Sequence, residues 1–199
     1  YRIGALPTVG VYLLAPALAS ARSGHPATRF EVRLGPVPSQ LRELSAGGLD
    51  AVAGVGRPPS SGLVVTHIGD ARPVLVARAG DPVLRQRAVS ARALLDRDLL
   101  TFGRTGDDFF DIVADWIDRH GLAPRVVTEV AHIQMLKALV SAGAGVAIVP
   151  GYTVVENRLA VRPIRGLSTR RPIWLATRAS LADDPIFSAL AQAARLRAR

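Results

Sequence analysis

The feature that most constrains this chain is a regular alternation of strand-like and helix-like segments. In its first quarter the strand-like segments are residues 1–6, 29–35 and 49–56, and the helix-like segments are residues 9–24 and 39–48. The short helix is predicted to begin with Ser39 as its N-cap and to end at Gly47-Gly48. Because parallel strands need a crossover between them, this order predicts a parallel sheet covered by helices.

The same order begins again after residue 72. The strand-like segments are residues 73–82, 99–103, 125–130, 146–150 and 171–178, and the helix-like segments are residues 90–98, 107–121, 132–143 and 184–197. Asp184 and Pro185 favour a helix start at the beginning of the last of these. No long linker and no repeat at the residue level is present. The sequence therefore predicts two similar α/β halves.

The stretch LVSAGAGVAIVPG at residues 139–151 resembles a phosphate-binding loop only in its glycines. Such a loop needs the order strand, glycine turn, helix, so that the helix N-terminus faces the phosphate. Here the order is helix, glycine turn, strand, and a helix C-terminus presents carbonyl groups that repel phosphate. We therefore interpret Gly143 as the end of a helix, Gly145 as a tight turn and Pro150 as the end of a buried strand.

The charge of the chain raises the question of nucleic-acid binding. The formal net charge is +9, because 24 arginines and a single lysine, Lys137, outnumber 16 acidic residues. The arginines are spread from Arg2 to Arg199 with no dense block, and aromatic residues make up 5% of the chain, too few for a base-stacking surface. We predict that this chain does not read a DNA sequence by itself.

Several kinds of chemistry are excluded or unsupported. The chain has no cysteine, which excludes disulfides, thiolate metal sites and thiol redox chemistry. The histidines lie far apart, and the acidic pairs Asp107-Asp108 and Asp183-Asp184 are interpreted as residues that begin helices. No apolar run approaches the roughly 18–20 residues of a membrane span. We predict no catalytic residue, no metal and no cofactor, and hence no enzyme.

Small or polar residues follow several predicted strands at the point where a helix begins. They are Thr8 and Val9 after the first strand, Ser39 after the second, Gly103 and Thr105 in the second half, and His132 with Ile133 before a later helix. Ligands of α/β sheets bind beyond the carboxyl ends of the strands, and the N–H groups of a helix start suit a carboxylate. Each residue alone is better explained as part of a helix cap, whereas the four converging sites together are more informative, and both interpretations stay open.

A set of short motifs then appears in a definite order. They are Ile3-Gly4, Leu13-Leu14 with Pro16, His25-Pro26, the alternating strand at 30–34, Gly48-Leu49-Asp50, and the segment from residue 121 to Pro150. In order and spacing, over nearly the whole chain, they resemble the effector-binding domain of LysR-type transcriptional regulators. The resemblance implies a type 2 periplasmic-binding-protein-like α/β fold: two Rossmann-like subdomains, joined by two crossover strands, with a ligand cleft between them. Subdomain I is expected at 1–70 and 163–199, and subdomain II at 71–162.

The resemblance also implies a function. A small metabolite, here an organic acid, is expected to bind in the cleft and to alter how a homodimer or homotetramer sits on DNA. By the family's pattern, ligand contacts map onto Thr8, Thr105 and His132, and Arg57 corresponds to an arginine that some members carry. DNA would be bound only through an N-terminal helix-turn-helix that is absent here, the protein would be cytoplasmic with no membrane partner, and the lack of cysteine excludes a peroxide-sensing thiol.

Two alternatives to a regulatory domain remain open. One is an extracytoplasmic solute-binding protein of a transport system, which would have the same fold. The other is an enzyme on this scaffold, such as an aromatic-acid dehydratase or deaminase, for which no set of catalytic residues is present in the sequence.

Overall fold

The computed structural model describes residues 1–59, 62–103 and 108–197. The chain divides into two compact units, each with its own sheet. The first unit consists of Tyr1–Ala71 and Arg171–Arg199, and the second of Arg72–Arg170. None of the helices in the described part of the chain has the length and apolarity that a bilayer crossing requires.

The regular elements alternate along the chain much as predicted. The strands of the described residues are β1 (Arg2–Ala5), β2 (Glu31–Leu34), β3 (Ala51–Val55), β4 (Leu63–Ala71), β5 (Pro73–Arg78), β6 (Leu99–Phe102), β7 (Val126–Val130), β8 (Val146–Pro150), β9 (Leu159–Pro163) and β10 (Arg171–Arg178). The α-helices are α1 (Pro7–Val9), α2 (Ala15–Gly24), α3 (Val37–Ser45), α4 (Asp108–Arg119), α5 (Ile133–Ala142) and α6 (Pro185–Arg197), with a π-helical turn at Gly10–Leu14 joining α1 to α2.

The sheet of the first unit has the strand order β2-β1-β3-β10-β4. β1 is parallel to both β2 and β3, as the strand–helix alternation predicted. β10 is antiparallel to β3 and to β4, so the prediction of a wholly parallel sheet was wrong for this half of it. The reason is that these two strands are not joined to their neighbours by βαβ crossovers, which impose a parallel direction.

The sheet of the second unit repeats this arrangement with the order β7-β6-β8-β5-β9. β6 is parallel to β7 and β8, whereas β5 is antiparallel to β8 and β9. β9 lies where the sequence placed the second crossover strand, near residue 163, but it belongs to the sheet of the second unit. It pairs with β5 along five residues, so the return to the first unit comes at Arg171, whereas the sequence placed it at residue 163. The apolar pattern did not reveal β4, because its sequence LVVTHIGDA has no clean apolar alternation.

Two local predictions about glycines and caps have different outcomes. Gly143 ends α5 in the left-handed conformation, with φ of 87° and its N–H donating to the carbonyls of Leu139 and Val140, which confirms it as a helix-ending glycine. Ser39 is not an N-cap, because α3 already begins at Val37 with Pro36 as its N-cap. Proline in the first turn is pre-organised for a helix, and Pro38 supplies it.

Asp50, from the Gly48-Leu49-Asp50 motif, ties three elements of the first unit together. Its carboxylate accepts hydrogen bonds from the backbone N–H of Arg2 at 2.8 Å and from the Arg2 guanidinium at 3.0 Å. Arg178 of β10 reaches the same carboxylate at 3.3 Å. Burial alone would raise the pKa of Asp50, but these hydrogen bonds outweigh it and lower the pKa from 3.8 to about 2.

The Asp50 carboxylate is therefore expected to stabilise the fold in a pH-dependent way. A carboxyl whose pKa is depressed on folding contributes stability above its unfolded value of 3.8, and that contribution is lost as pH falls through about 2. Asp50→Asn should lower the free energy of unfolding by about 2 kcal/mol at pH 7. Urea unfolding at several pH values should show the difference from wild type shrinking below pH 4. Asp98→Asn is the control, because Asp98 belongs to an exposed ion pair with Arg125 worth less than about 1 kcal/mol.

Candidate functional site

The predicted contacts of the first unit all follow strands of one parallel group. β1, β2 and β3 run in the same direction, so their carboxyl ends lie at one edge of the sheet. Thr8 and Val9 follow β1, Ser39 follows β2 and Arg57 follows β3. The fold thus places these four residues in segments that leave the same edge of the first unit, which is where ligands of α/β sheets bind.

Thr8 and Val9 lie in the first turn of the helical stretch that follows β1. Pro7 has no N–H, so the first amide N–H groups of this turn belong to Thr8 and Val9. The Val9 side chain is fully buried, so Val9 can offer a ligand only its backbone. Thr8 is half-buried, and its position as the second residue of α1 shows that it is not the N-cap, which is Leu6.

Ser39 and Arg57 differ in how far they are committed to other contacts. The Ser39 hydroxyl already donates to the Pro36 carbonyl at 2.9 Å within its own helix start. Arg57 is exposed in the segment after β3, directly after Gly56, whose carbonyl accepts from the Trp174 indole at 3.2 Å. This hydrogen bond holds the backbone in place at Gly56, the residue that precedes Arg57. Ligand binding by both residues stays a prediction.

A buried glutamine that the sequence did not single out holds this edge in place. Gln40 of α3 is buried, and its side-chain amide donates to the carbonyl of Arg33 at 3.0 Å and to that of Ala5 at 3.4 Å. It therefore clamps the carboxyl ends of β1 and β2. A Cβ on Gly4 would lie 3.0 Å from the Gln40 amide, so the glycine of the Ile3-Gly4 motif makes room for this clamp. A single polar residue in a short helix carries no sequence signal for such a role.

The predicted contacts of the second unit again follow parallel strands. β6 and β7 run in the same direction, so Gly103 after β6 and His132 after β7 leave the same edge of the second sheet. A Cβ on Gly103 would lie 2.5 Å from the Glu129 carboxylate, so a side chain at this position would require the exposed Glu129 side chain to move. Thr105, the other predicted contact after β6, lies outside the described residues.

His132 and Ile133 mark the start of α5. His132 is the N-cap residue and is exposed, but its side chain makes no capping hydrogen bond. The Ile133 side chain is buried, so only its backbone N–H can face a ligand. The first-turn N–H groups of α5 therefore point out of this edge beside an imidazole, which suits an anion.

The single lysine of the chain is buried one turn into α5, and the sequence did not single it out. Only 3% of Lys137 is exposed. Its ammonium donates to the backbone carbonyl of Thr153 at 2.6 Å and to the Glu156 carboxylate at 2.5 Å. Thr153 itself is buried, and its hydroxyl donates to the Pro150 carbonyl at 2.7 Å. Lys137 thus holds the segment that leaves the carboxyl end of β8 against the helix that begins at His132.

The Lys137–Glu156 pair also sets the charge state of the carboxylate. Burial alone raises the pKa of Glu156, but the hydrogen bond from Lys137 and backbone N–H groups outweigh it and lower the pKa below its ordinary value. The Glu156 side chain is 44% exposed, so one end of the pair is open to water. The Glu156 carboxylate is therefore ionised at neutral pH, and its contact with Lys137 links α5 to residues 153–156.

A cavity of about 550 Å³ lies at the opposite edge of the second sheet. Its lining includes the glycine turn before β8 and the ion pairs Arg97–Asp81 and Arg125–Asp98, both at 2.8 Å. The turn needs Gly145, because a Cβ there would lie 2.5 Å from the Asp98 carbonyl. Gly145 therefore allows close backbone packing at the tight turn that the sequence predicted, whereas Gly143 ends α5.

The whole chain, residues 1–199, matches the family model of the LysR substrate binding domain. Among curated proteins it is 26% identical over 182 residues to the HTH-type transcriptional regulator BenM of Acinetobacter baylyi, covering 89% of this chain and 60% of that protein. It is 33% identical over 166 residues to the HTH-type transcriptional regulator TfdS of Cupriavidus pinatubonensis, covering 80% and 55%. The chain thus spans less than two thirds of the length of these relatives.

Solved structures share the fold at lower sequence identity. The reduced form of the OxyR regulatory domain from Pseudomonas aeruginosa superposes with a TM-score of 0.76 at 21% identity, covering 98% of this chain and 96% of that one. The BenM effector-binding domain with its effector benzoate gives a TM-score of 0.74 at 24% identity, covering 98% and 90%. Both units therefore have the architecture of these regulatory domains.

Proposed function

The chain belongs to the family of LysR substrate-binding domains, and from this premise we propose that it is the effector-sensing part of a bacterial transcription regulator. A small organic acid binds it and changes the equilibrium between arrangements of the oligomer, which alters transcription. The protein acts in the cytoplasm, where the DNA is, and catalyses no reaction. Its DNA-reading part is a helix-turn-helix outside this chain, as in the regulators that it matches over part of their length.

The observation that carries this proposal is the placement of the predicted contacts at the carboxyl ends of parallel strands. In the first unit this edge offers the Thr8 hydroxyl and the N–H groups that begin α1, and in the second it offers His132 and the N–H groups that begin α5. N–H groups at helix starts, a hydroxyl and an imidazole are donors, and donors recognise a carboxylate. A ligand with an anionic group is therefore the class that these residues suit.

A thermal-shift screen of aromatic and aliphatic carboxylates tests the proposal. Benzoate is the first probe, because BenM has benzoate as its effector. A ligand at a hundredfold excess over its Kd stabilises the fold by about 2.7 kcal/mol, which raises Tm by about 5–10 °C in a domain of this size. No shift with any acid at millimolar concentration, in a preparation that melts cooperatively, would contradict the proposal.

The alternative of a transport solute-binding protein has less support. The family model and the curated relatives are those of transcription regulators. Sensing by a thiol is not open to this chain either, because it has no cysteine. Reversible binding of a small-molecule effector is therefore the signal that we expect this domain to sense.

We expect the domain to form homodimers through the edge of its first sheet. β2 is an edge strand whose Val32 and Leu34 are exposed, and Val11 of the preceding helical turn is exposed as well. Leu14 and Ala21 of the same helical stretch are buried inside the unit and are not part of this surface. An edge strand with exposed apolar residues can pair or pack with a second protein chain.

Light scattering at high micromolar concentration checks the dimer. Val32→Lys should shift the domain towards a folded monomer, because Val32 is 40% exposed and its replacement leaves the core of the unit intact. Val64→Lys is the matched control: Val64 is 39% exposed and lies on β4, the opposite edge of the same sheet. A wild-type monomer, or an equal effect of both variants, would contradict this surface.

A further inference from the structure

Two sequence runs with many arginines and no acidic residue lie side by side in the second unit. Residues 82–95 and 157–170 together hold seven of the 24 arginines and not one Asp or Glu. They are joined by hydrogen bonds from Val89 to Pro163 and from Arg165 to Val89, each 2.8 Å long. The fold therefore assembles a basic surface that the scattered arginines of the sequence do not reveal.

The centre of this surface, here called the arginine strip, consists of Arg85, Arg87, Arg162 and Arg165. Arg162 is half-buried and fixes the two runs together, because its guanidinium donates to the Gln86 carbonyl at 3.1 Å. The other three arginines are exposed. Within residues 1–59, 62–103 and 108–197, none of the four forms an ion pair with a carboxylate.

The carboxylates that flank the strip are already committed to other cations. Asp81, just before the first run, pairs with Arg97 at 2.8 Å. Glu156, just before the second run, pairs with the buried Lys137. Neither is available to neutralise the strip, so its positive charge faces solvent. A row of unneutralised guanidinium groups attracts polyanions and binds phosphate oxygens in bidentate fashion.

We propose that the arginine strip contacts the phosphate backbone of DNA. The inference rests on the proposed function only in that the domain works close to DNA; effector binding plays no part in it. Contacts to phosphate oxygens carry no sequence information, so this contact is independent of base sequence. It adds affinity to the DNA complex of the full regulator and explains the excess charge of a domain that does not read DNA itself.

The test measures binding of this chain to a labelled 30-base-pair DNA duplex of mixed sequence by fluorescence anisotropy, between 25 and 150 mM salt. The strip variant is Arg85→Gln/Arg87→Gln/Arg165→Gln, which leaves the bonds of Arg162 intact. The control variant is Arg22→Gln/Arg29→Gln/Arg42→Gln, which removes three exposed arginines from the first unit. Both variants lose three positive charges, so they differ only in where the charge was.

Wild type should bind weakly, without preference between this duplex and a scrambled one. Each phosphate contact contributes about 0.9 to the slope of log K against log salt, so the strip variant should lose about 2–3 of that slope and at least about tenfold in affinity at 50 mM salt. The control should lose less than threefold. Equal losses in both variants would show that only net charge matters and would overturn the proposal. So would unchanged binding by the strip variant, no binding by wild type at 25 mM salt, or sequence-selective binding.

Discussion

Replacing Lys137 with methionine is expected to lower the free energy of unfolding by about 3 kcal/mol, and Tm by roughly 6–12 °C. Methionine fills nearly the same space, so the loss comes from the missing ammonium. The buried Thr153 carbonyl loses its donor, which costs about 1–3 kcal/mol, and the ion pair to Glu156 is lost as well. Urea unfolding followed by circular dichroism gives the free energy directly.

Two further variants separate the ion pair from the backbone hydrogen bond. Glu156→Gln should cost less than Lys137→Met, because glutamine still accepts from the ammonium, and the double variant should cost less than the two singles added. Arg33→Met removes the cation of the exposed pairs with Glu31 and Glu43 and should cost much less than Lys137→Met, because exposed ion pairs contribute little to stability. If Lys137→Met unfolds like Arg33→Met, the buried tie does not stabilise the protein.

Replacing Thr8 with valine is expected to weaken binding of a carboxylate effector about ten- to hundredfold. Valine keeps the shape of threonine and removes its hydroxyl, and a hydrogen bond to a charged group is worth about 1.5–3 kcal/mol. Leu6, and not Thr8, is the N-cap of α1, so the substitution removes no cap. Calorimetric titration with the acid that gives the largest shift in the thermal screen measures the affinity.

The control for Thr8 is Thr28→Val in the same unit. Thr28 is also half-buried but precedes β2, at the amino edge of the parallel strands and away from the predicted contacts. It should leave the affinity unchanged. An acid that binds wild type and Thr8→Val equally would remove Thr8 from the site while leaving the proposed function standing, whereas the absence of any binding acid would count against the function itself.

The positions of the predicted contacts were accessible to sequence reasoning because they follow from strand direction. Once β1, β2 and β3 are known to be parallel, their carboxyl ends share an edge, and Thr8, Ser39 and Arg57 must leave it. The local hydrogen bonding at each of these residues could not be predicted from the sequence. Ser39 was predicted to cap α3, but proline at two positions of this helix start moved the beginning of the helix to Val37. Whether each residue touches a ligand stays a prediction.

The apolar pattern did not reveal two of the strands, for a common physical reason. β4 and β9 lie at the edges of their sheets and pair antiparallel with one neighbour each. An edge strand is half-solvated, so it need not show the apolar run of a buried strand or the alternation of a one-sided one. β2 is also an edge strand, and its residues are all exposed despite their apolar alternation. Edge position, rather than local propensity, decided how these segments are buried.

By itself the sequence determined the α/β class, the order of most elements, the family and the lack of thiol chemistry, because periodicity, glycine positions and composition are local properties of a chain. Which charged residues lie close to one another was determined only by the tertiary structure. Asp50 accepts from Arg2 and Arg178, Lys137 lies under the 153–156 segment, and Arg85 and Arg87 lie beside Arg162 and Arg165. The partners in these groups are separated by between 16 and 128 residues, apart from those within one run. Contacts at such distances along the chain depend on how sheets and helices pack, and no local pattern encodes them.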